Sequence, residues 1–222
     1  MGVFEIIGPS MIGPSSSHTA GACRIGFAAH ALLNEPLVSA SIHLHGSLLA
    51  TGEGHGTHEA LVAGLLGMPP DDERLIHALD LARDQGVSVT FLPIDLGPQA
   101  HPNSTRIVLQ GATRTLALTA ASIGGGSVHL QEIDGLAVEI HGTLETLVCW
   151  HQDTPGFLAR ITAVLACVQV NVATIRTSRL GRGEEAITAV EVDGRLPGEV
   201  AALLEKSPTI NRLVILPPLP GF

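Results

Sequence analysis

Leu144-Glu145-Thr146-Leu147-Val148-Cys149-Trp150-His151, Asp153-Thr154-Pro155-Gly156 and Phe157-Leu158-Ala159-Arg160-Ile161-Thr162-Ala163-Val164-Leu165-Ala166-Cys167 form the stretch on which the fold turns. The first block is an apolar, β-branched run of strand length. The second is a turn, with Pro155 placed near a first helical turn, where its missing N–H costs nothing. The third sets Phe157, Ile161, Val164 and Leu165, with Val168 just beyond, on one side of a helix. Downstream, residues 171–180 and 185–192 read as a hairpin around Gly181-Arg182-Gly183. Residues 197–206 read as a second helix and 209–216 as a last strand before a Pro-rich tail. Strand-helix-strand-strand-helix-strand is the ferredoxin-like split βαβ arrangement.

Upstream the grammar differs. The first 142 residues are rich in glycine and mix short strands with short helices. Residues 37–44 alternate as a strand, with Val38, Ala40, Ile42 and Leu44 on one face. Residues 59–66 read as a helix ended by Gly67 and Pro69, and 73–84 as another with Leu75, Ile76, Leu79 and Ala82 inward. Residues 104–110 and 113–120 alternate across Gly111-Ala112 as a hairpin. A loop over 122–126 then leads to a strand over 127–132. Ile7-Gly8-Pro9-Ser10 is echoed by Ile12-Gly13-Pro14-Ser15, which is turn duplication rather than a solenoid repeat. The expected architecture is α+β: a mixed α/β domain over residues 1–142, then a ferredoxin-like βαββαβ domain over 143–222.

Composition narrows the function classes. The net charge is −9 and Lys206 is the only lysine, so the clustered cations that phosphate backbones require are missing. Nucleic acid is not an expected partner. No apolar run approaches the roughly 18 residues that span a bilayer, and Met1 to Ile6 lacks the basic region of a secretion signal. A cytoplasmic protein is expected. Cys23, Cys149 and Cys167 are odd in number, far apart and in apolar surroundings, which suits buried thiols better than disulfides or metal ligands.

The run Gly13-Pro14-Ser15-Ser16-Ser17-His18-Thr19-Ala20-Gly21 carries the most chemistry. It sets three serines and an imidazole on a Pro-Gly turn ahead of a proline-free, small-residue helix over residues 20–33. Serine is a good N-cap, and a helix start attracts a carboxylate or phosphate through its unpaired N–H groups and dipole. With His18 beside it, such a site can hold a small anion and move a proton. The plain alternative is an ordinary cap with a spare histidine.

Two resemblances sharpen this. His151-Gln152-Asp153-Thr154-Pro155-Gly156-Phe157-Leu158-Ala159-Arg160-Ile161 and Val170-Asn171-Val172-Ala173-Thr174-Ile175 resemble the first turn and second strand of an ACT domain, an amino-acid-sensing module. That likeness implies His151, Asp153 and Asn171 as effector contacts, with serine the expected effector, and self-association through the domain. The N-terminal half resembles the β chain of bacterial iron–sulfur-dependent L-serine dehydratase. The likeness lies in Ile12 to Gly21, in Gly46-Ser47-Leu48-Leu49-Ala50-Thr51-Gly52-Glu53-Gly54-His55-Gly56-Thr57, and in His101-Pro102-Asn103. His58 departs from it, since the family pattern carries an acidic residue there.

The resemblance implies a 4Fe–4S cluster held by a separate α chain, with an open iron assisting departure of the serine hydroxyl. Aminoacrylate would then pass through an imine to pyruvate and ammonia. It implies His18 as an acid/base or carboxylate-orienting group. Ser16, Ser17, Thr19, His55, Gly56, Thr57, His101 and Asn103 are the implied substrate contacts, and no residue of this chain is a metal ligand. Two other readings stay open: a stand-alone amino-acid sensor, and a metal-dependent hydrolase using His43, His45, His55 and His58.

Overall fold

The computed structural model describes residues 10–221. Met1 to Ile6 and the Ile7-Gly8-Pro9 half of the echoed turn lie outside them. The chain divides into two compact units, residues 1–134 together with 219–222, and residues 135–218. No helix among the described residues is long and apolar enough to cross a membrane.

In the first unit a wide turn over Ser16–Ala20 runs into helix α1, Gly21–Leu33. Strand β1 (Leu37–Leu44), helix α2 (Gly46–Thr51), helix α3 (Thr57–Leu65) and helix α4 (Ala78–Asp84) follow. Strands β2 (Ser88–Pro93), β3 (Ser104–Gly111), β4 (Thr115–Gly124) and β5 (Ser127–Ile133) complete the unit. The sheet order is β2-β1-β3-β4-β5. β1 and β2 are parallel, joined by the helical crossover that parallel strands require, and the remaining pairs are antiparallel. Helix α1 packs on β4 and on α3.

The α1–α3 contact is backbone against backbone. A Cβ on Gly64 would collide with the Cys23 carbonyl and the Phe27 amide, and one on Gly26 would collide with the Leu61 carbonyl. Only glycine permits that approach. Thr19 lies beside His55 at one end of this pair, through a 3.2 Å bond from the Thr19 hydroxyl to the His55 carbonyl. Gly67 lies beside the His30 ring at the other. The two helices therefore run parallel, with their N-terminal ends together.

A second constraint sits on the same helix. Arg24 is buried, and its Nε donates to the Pro220 carbonyl at 2.8 Å. Its Nη1 donates to Gly126 O and its Nη2 to Gly221 O. The end of the Pro-rich tail, from the buried Leu219 on, thereby belongs to the first unit.

The first unit differs from expectation in five places. Residues 73–84 are a 3-10 turn, Glu73–His77, followed by α4, because Asp72 caps the turn by accepting from Arg74 N at 2.9 Å. The tighter period turns Leu75 and Ala78 inward and leaves Ile76 59% exposed. Val38, at the open start of β1, is also exposed. β4 runs on to Gly124, so the expected loop over 122–126 shrinks to a glycine turn. Helix α2 and strand β2, unmarked by periodicity, are the remaining additions.

The second unit contains β6 (Leu136–Ile140), β7 (Glu145–Gln152), α5 (Phe157–Cys167), β8 (Val172–Arg179), β9 (Glu185–Val192), α6 (Gly198–Leu204) and β10 (Ile210–Leu216). Its four-stranded antiparallel sheet has the order β10-β7-β9-β8. That is the ferredoxin-like βαββαβ topology. Leu147, Cys149, Val190 and Val192 of the sheet pack with Phe157, Ile161 and Leu165 of α5 and with Val200 and Leu204 of α6.

Gly64→Ala should destabilise the chain by about 1–3 kcal/mol, the usual cost of forcing atoms into a closed contact. This exceeds the helix propensity it would gain. Gly54→Ala, where a Cβ meets nothing, is the control. Thermal melts of both variants check it, and an unchanged midpoint for Gly64→Ala would mean the helices stand further apart.

Candidate active site

The turn ahead of α1 is an i→i+5 turn. Ser15 is extended and caps it, its Oγ accepting from His18 N at 3.3 Å, and Gly21 N donates to Ser16 O. Thr19 N donates to Ser15 O. Such wide turns occur mostly as single insertions at functional places. Its own oxygens use the N–H groups of His18, Thr19 and Gly21, so an anion here must be met mainly by side chains.

His18 is 8% exposed and sits inside a shell of hydroxyls. Its Nδ1 lies 3.2 Å from Ser17 Oγ and 3.4 Å from Ser15 Oγ. Its Nε2 lies 3.1 Å from Thr51 Oγ1 and 3.2 Å from Ser47 Oγ. Burial holds the imidazole below the ordinary histidine range. A hydrogen bond at Ser47 opposes that shift, and the nearby His55 adds to it.

The His55 ring is tilted against His18, with centroids 4.9 Å apart. Its Nδ1 donates to the Thr51 carbonyl at 2.8 Å, since a carbonyl can only accept. The neutral ring therefore offers its Nε2 lone pair.

Helix α2 holds Ser47 and Thr51 one turn apart, and the third motif fixes its start. Ser47 N donates to Pro102 O at 2.7 Å, and His45 N donates to Ser104 O. Gly46 has φ +55, and a Cβ there would crowd the Pro102 carbonyl. Asn103 N donates to His101 Nδ1, and Asn103 Nδ2 donates to Ser122 O on β4. Gly56, at φ +68, turns the chain into α3. Beside His55 lies a cavity of about 260 Å³ that includes Ile12, Thr19, Glu53, Gly56 and Glu59 in its wall.

The first two motifs thus meet around two imidazoles, and the third supports the start of α2. Ser17, His18 and His55 are together, and Ser16 supplies a carbonyl to the turn. Thr19 and Thr57 are buried. Thr19 spends its hydroxyl on the His55 carbonyl, whereas Thr57 Oγ1 is buried without a hydrogen-bond partner among the described residues. His101 and Asn103 brace the segment under α2. Ser47 and Thr51 were not anticipated, although their i, i+4 spacing in Gly46-Ser47-Leu48-Leu49-Ala50-Thr51 was the available signal. His58, where an acidic residue was expected, stacks on Phe91 at 4.1 Å.

The cysteines do not suit an iron–sulfur cluster. Cys23 is buried, donates to Met68 O, and has its thiol pushed up to about 12 by burial. Cys149 is likewise buried and pushed up to about 12, and Cys167 is exposed on α5. Thiolate ligands need the opposite conditions. Nor do His43, His45, His55 and His58 gather as one ligand shell. His43 bonds to Ser41, His45 accepts from Leu96 N, and His58 stacks.

In the second unit the three effector candidates are already engaged. His151 is buried, stacked on Phe157 at 3.4 Å, and bonded through Nε2 to Thr188 Oγ1 at 2.9 Å. Asp153 accepts from Gly183 N at 3.1 Å and Arg179 Nη1 at 2.6 Å, contacts that hold its carboxyl below the ordinary range. Asn171 donates to Asp193 at 2.7 Å.

Comparison with known proteins bears on both units. The family described as serine dehydratase beta chain matches residues 2–89, and the ACT domain family matches residues 146–209. The chain is 37% identical over 208 residues to the probable L-serine dehydratase, beta chain, of Bacillus subtilis, covering 94% of each. It is 35% identical over 191 residues to the L-serine dehydratase, beta chain, of Peptoniphilus asaccharolyticus, covering 86% of each. It is 32% identical over 173 residues to L-serine dehydratase TdcG of Escherichia coli, covering 68% of this chain and 37% of that one.

His18 and His151 both have lowered values because burial disfavours the charged ring. The unfolded chain then takes up protons first. The stability from keeping both neutral is full above about pH 6.5 and is lost as pH falls through the lower folded values. Melting should therefore be earlier at about pH 5.5 than at about pH 7.5, and His151→Gln should narrow the gap. Greater stability at the lower pH would contradict the neutral, buried assignment.

Proposed function

The chain belongs to the family of L-serine dehydratase beta chains, and from that membership we propose that it is one subunit of an L-serine ammonia-lyase. It acts with an α chain that carries the 4Fe–4S cluster, and it has no turnover alone. Its place is the cytoplasm. The proposed division is a substrate and interface domain over residues 1–142 and an ACT regulatory domain over residues 143–222, of which residues 219–221 pack with the first unit; the ACT domain senses an amino acid, serine being the proposed one. Two copies associate through that second domain.

The observation that carries this reading is the meeting of the first two family motifs at the His18–His55 pair, with the third bonded to the start of α2. Ser17 Oγ lies at His18 Nδ1 and Ser47 Oγ at His18 Nε2, and the two hydroxyls are the proposed contacts of the bound substrate. Ser16, on the same turn, is a further contact. The Ser47 hydroxyl donates to the substrate carboxylate, and the His18 ring, fixed beside it at 3.2 Å, orients the Cα–H bond toward its neighbour. His55, with Nδ1 engaged and Nε2 free, takes the Cα proton. The electron pair so released forms the Cα–Cβ double bond as the Cβ–oxygen bond breaks and hydroxide leaves, a departure that an open iron of the α chain's cluster would assist as a Lewis acid. The aminoacrylate becomes an imine, and water converts it to pyruvate and ammonia. Both rings are held on rigid turns, which spares reorganisation during proton transfer.

The test is pyruvate release from L-serine by the chain co-expressed anaerobically with its α chain. His18→Asn and His55→Asn should each lower kcat by about 100-fold or more, the usual worth of a positioned proton-transfer group. Full turnover in both variants would falsify the assignment of this pair.

A further inference from the structure

Resting on that reading of the His18–His55 pair, we infer that Thr51 is the positioning residue that sets the proton arrangement of both imidazoles. Its side chain governs one ring and its carbonyl the other. The Thr51 hydroxyl lies 2.9 Å from the Ser47 carbonyl, which can only accept, so the single hydroxyl hydrogen goes there. The oxygen lone pair that remains faces His18 Nε2 at 3.1 Å and receives a hydrogen from it. His18 is therefore protonated on Nε2, and its Nδ1 accepts from Ser17 Oγ. A continuous polarised chain results: Ser17 O–H to His18 Nδ1, then His18 Nε2–H to Thr51 Oγ1, then Thr51 O–H to Ser47 O.

His55 is set in the opposite sense. Its Nδ1–H is fixed by the Thr51 carbonyl at 2.8 Å, which leaves Nε2 bare. One residue thus gives two neighbouring rings complementary states, one presenting a bound hydrogen and the other a lone pair. Without the hydroxyl, Ser47 Oγ at 3.2 Å is free to donate to His18 Nε2 and the tautomer of His18 is no longer fixed.

The experiment uses the full chain with nitrogen-15-labelled histidine, read by long-range proton–nitrogen spectra near neutral pH. In the unsubstituted chain, His18 should show the Nε2–H pattern and His55 the Nδ1–H pattern. Thr51→Val keeps the shape and the backbone carbonyl but removes the hydroxyl. It should turn the His18 signals into a tautomer mixture and leave those of His55 unchanged, and Thr51→Ser should restore the original pattern. A structural role alone would not produce that selective change. His18 signals unaltered in Thr51→Val, or an Nε2–H pattern at His55, would overturn the inference. With the α chain present, Thr51→Val should lower serine turnover roughly tenfold, the scale of one hydrogen bond between neutral groups. A tautomer shift with turnover unchanged would leave the proton assignment standing and overturn the catalytic reading beneath it.

Discussion

Everything at the candidate site depends on how closely α1 and α3 approach. Both helices begin at the functional turns, α1 just after His18 and α3 just after His55. Gly26 and Gly64 let their backbones touch, and the parallel arrangement puts both N-terminal ends at one place. A side chain at either glycine would wedge the helices apart and separate the imidazoles. Parallel neighbours cannot be joined by a short turn. The intervening β1 and α2 fill that crossover, and α2 brings Ser47 and Thr51 to the same spot. Arg24, on the buried side of α1, ties down Gly126 and the tail in addition. The site is therefore positioned by packing well away from its own polar groups.

The degree to which the sequence announced this varies with the physics of each element. Helix α5 and strand β9 were legible to the residue because one apolar face and clear turn residues bound them. β1 was legible because it alternates. α2 was hidden, since six residues are too few for periodicity and glycine stands at its start. β2 was hidden because its edge position leaves most of it exposed, so nothing forces an apolar pattern. The split of residues 73–84 followed from one capping carboxylate, Asp72, that the apolar spacing did not weigh. His18 and His55 stood out as histidines in glycine-rich turns. Their mutual contact is tertiary, and no spacing along the chain encodes it.

In the second unit the polar residues of the first turn carry contacts that their position along the chain does not display. Asp153 and His151 flank the first turn, where a carboxylate and an imidazole look available. Arg179 and Gly183 N saturate the carboxylate, while Phe157 and Thr188 enclose the imidazole. Thr188 in turn contacts Thr177 at 2.9 Å, so the buried ring is linked to the edge strand β8. These groups tie the turn to the sheet. An effector at this turn would need to exchange with those contacts rather than occupy spare valences, which makes its binding and the order of the turn one equilibrium.

The hydroxyl shell around His18 has a consequence that a carboxylate partner would not have. An acidic neighbour would satisfy the ring and also favour its charged form, raising its proton affinity. Serine and threonine hydroxyls satisfy both nitrogens without adding charge, so desolvation prevails and the ring stays neutral. A second imidazole at 4.9 Å acts in the same direction, because two positive rings that close repel. An anion beside His18 would offset that desolvation and raise the ring's proton affinity. A neutral His18 in its shell of hydroxyls is thus set by desolvation, and the free chain holds no buried charge at that ring.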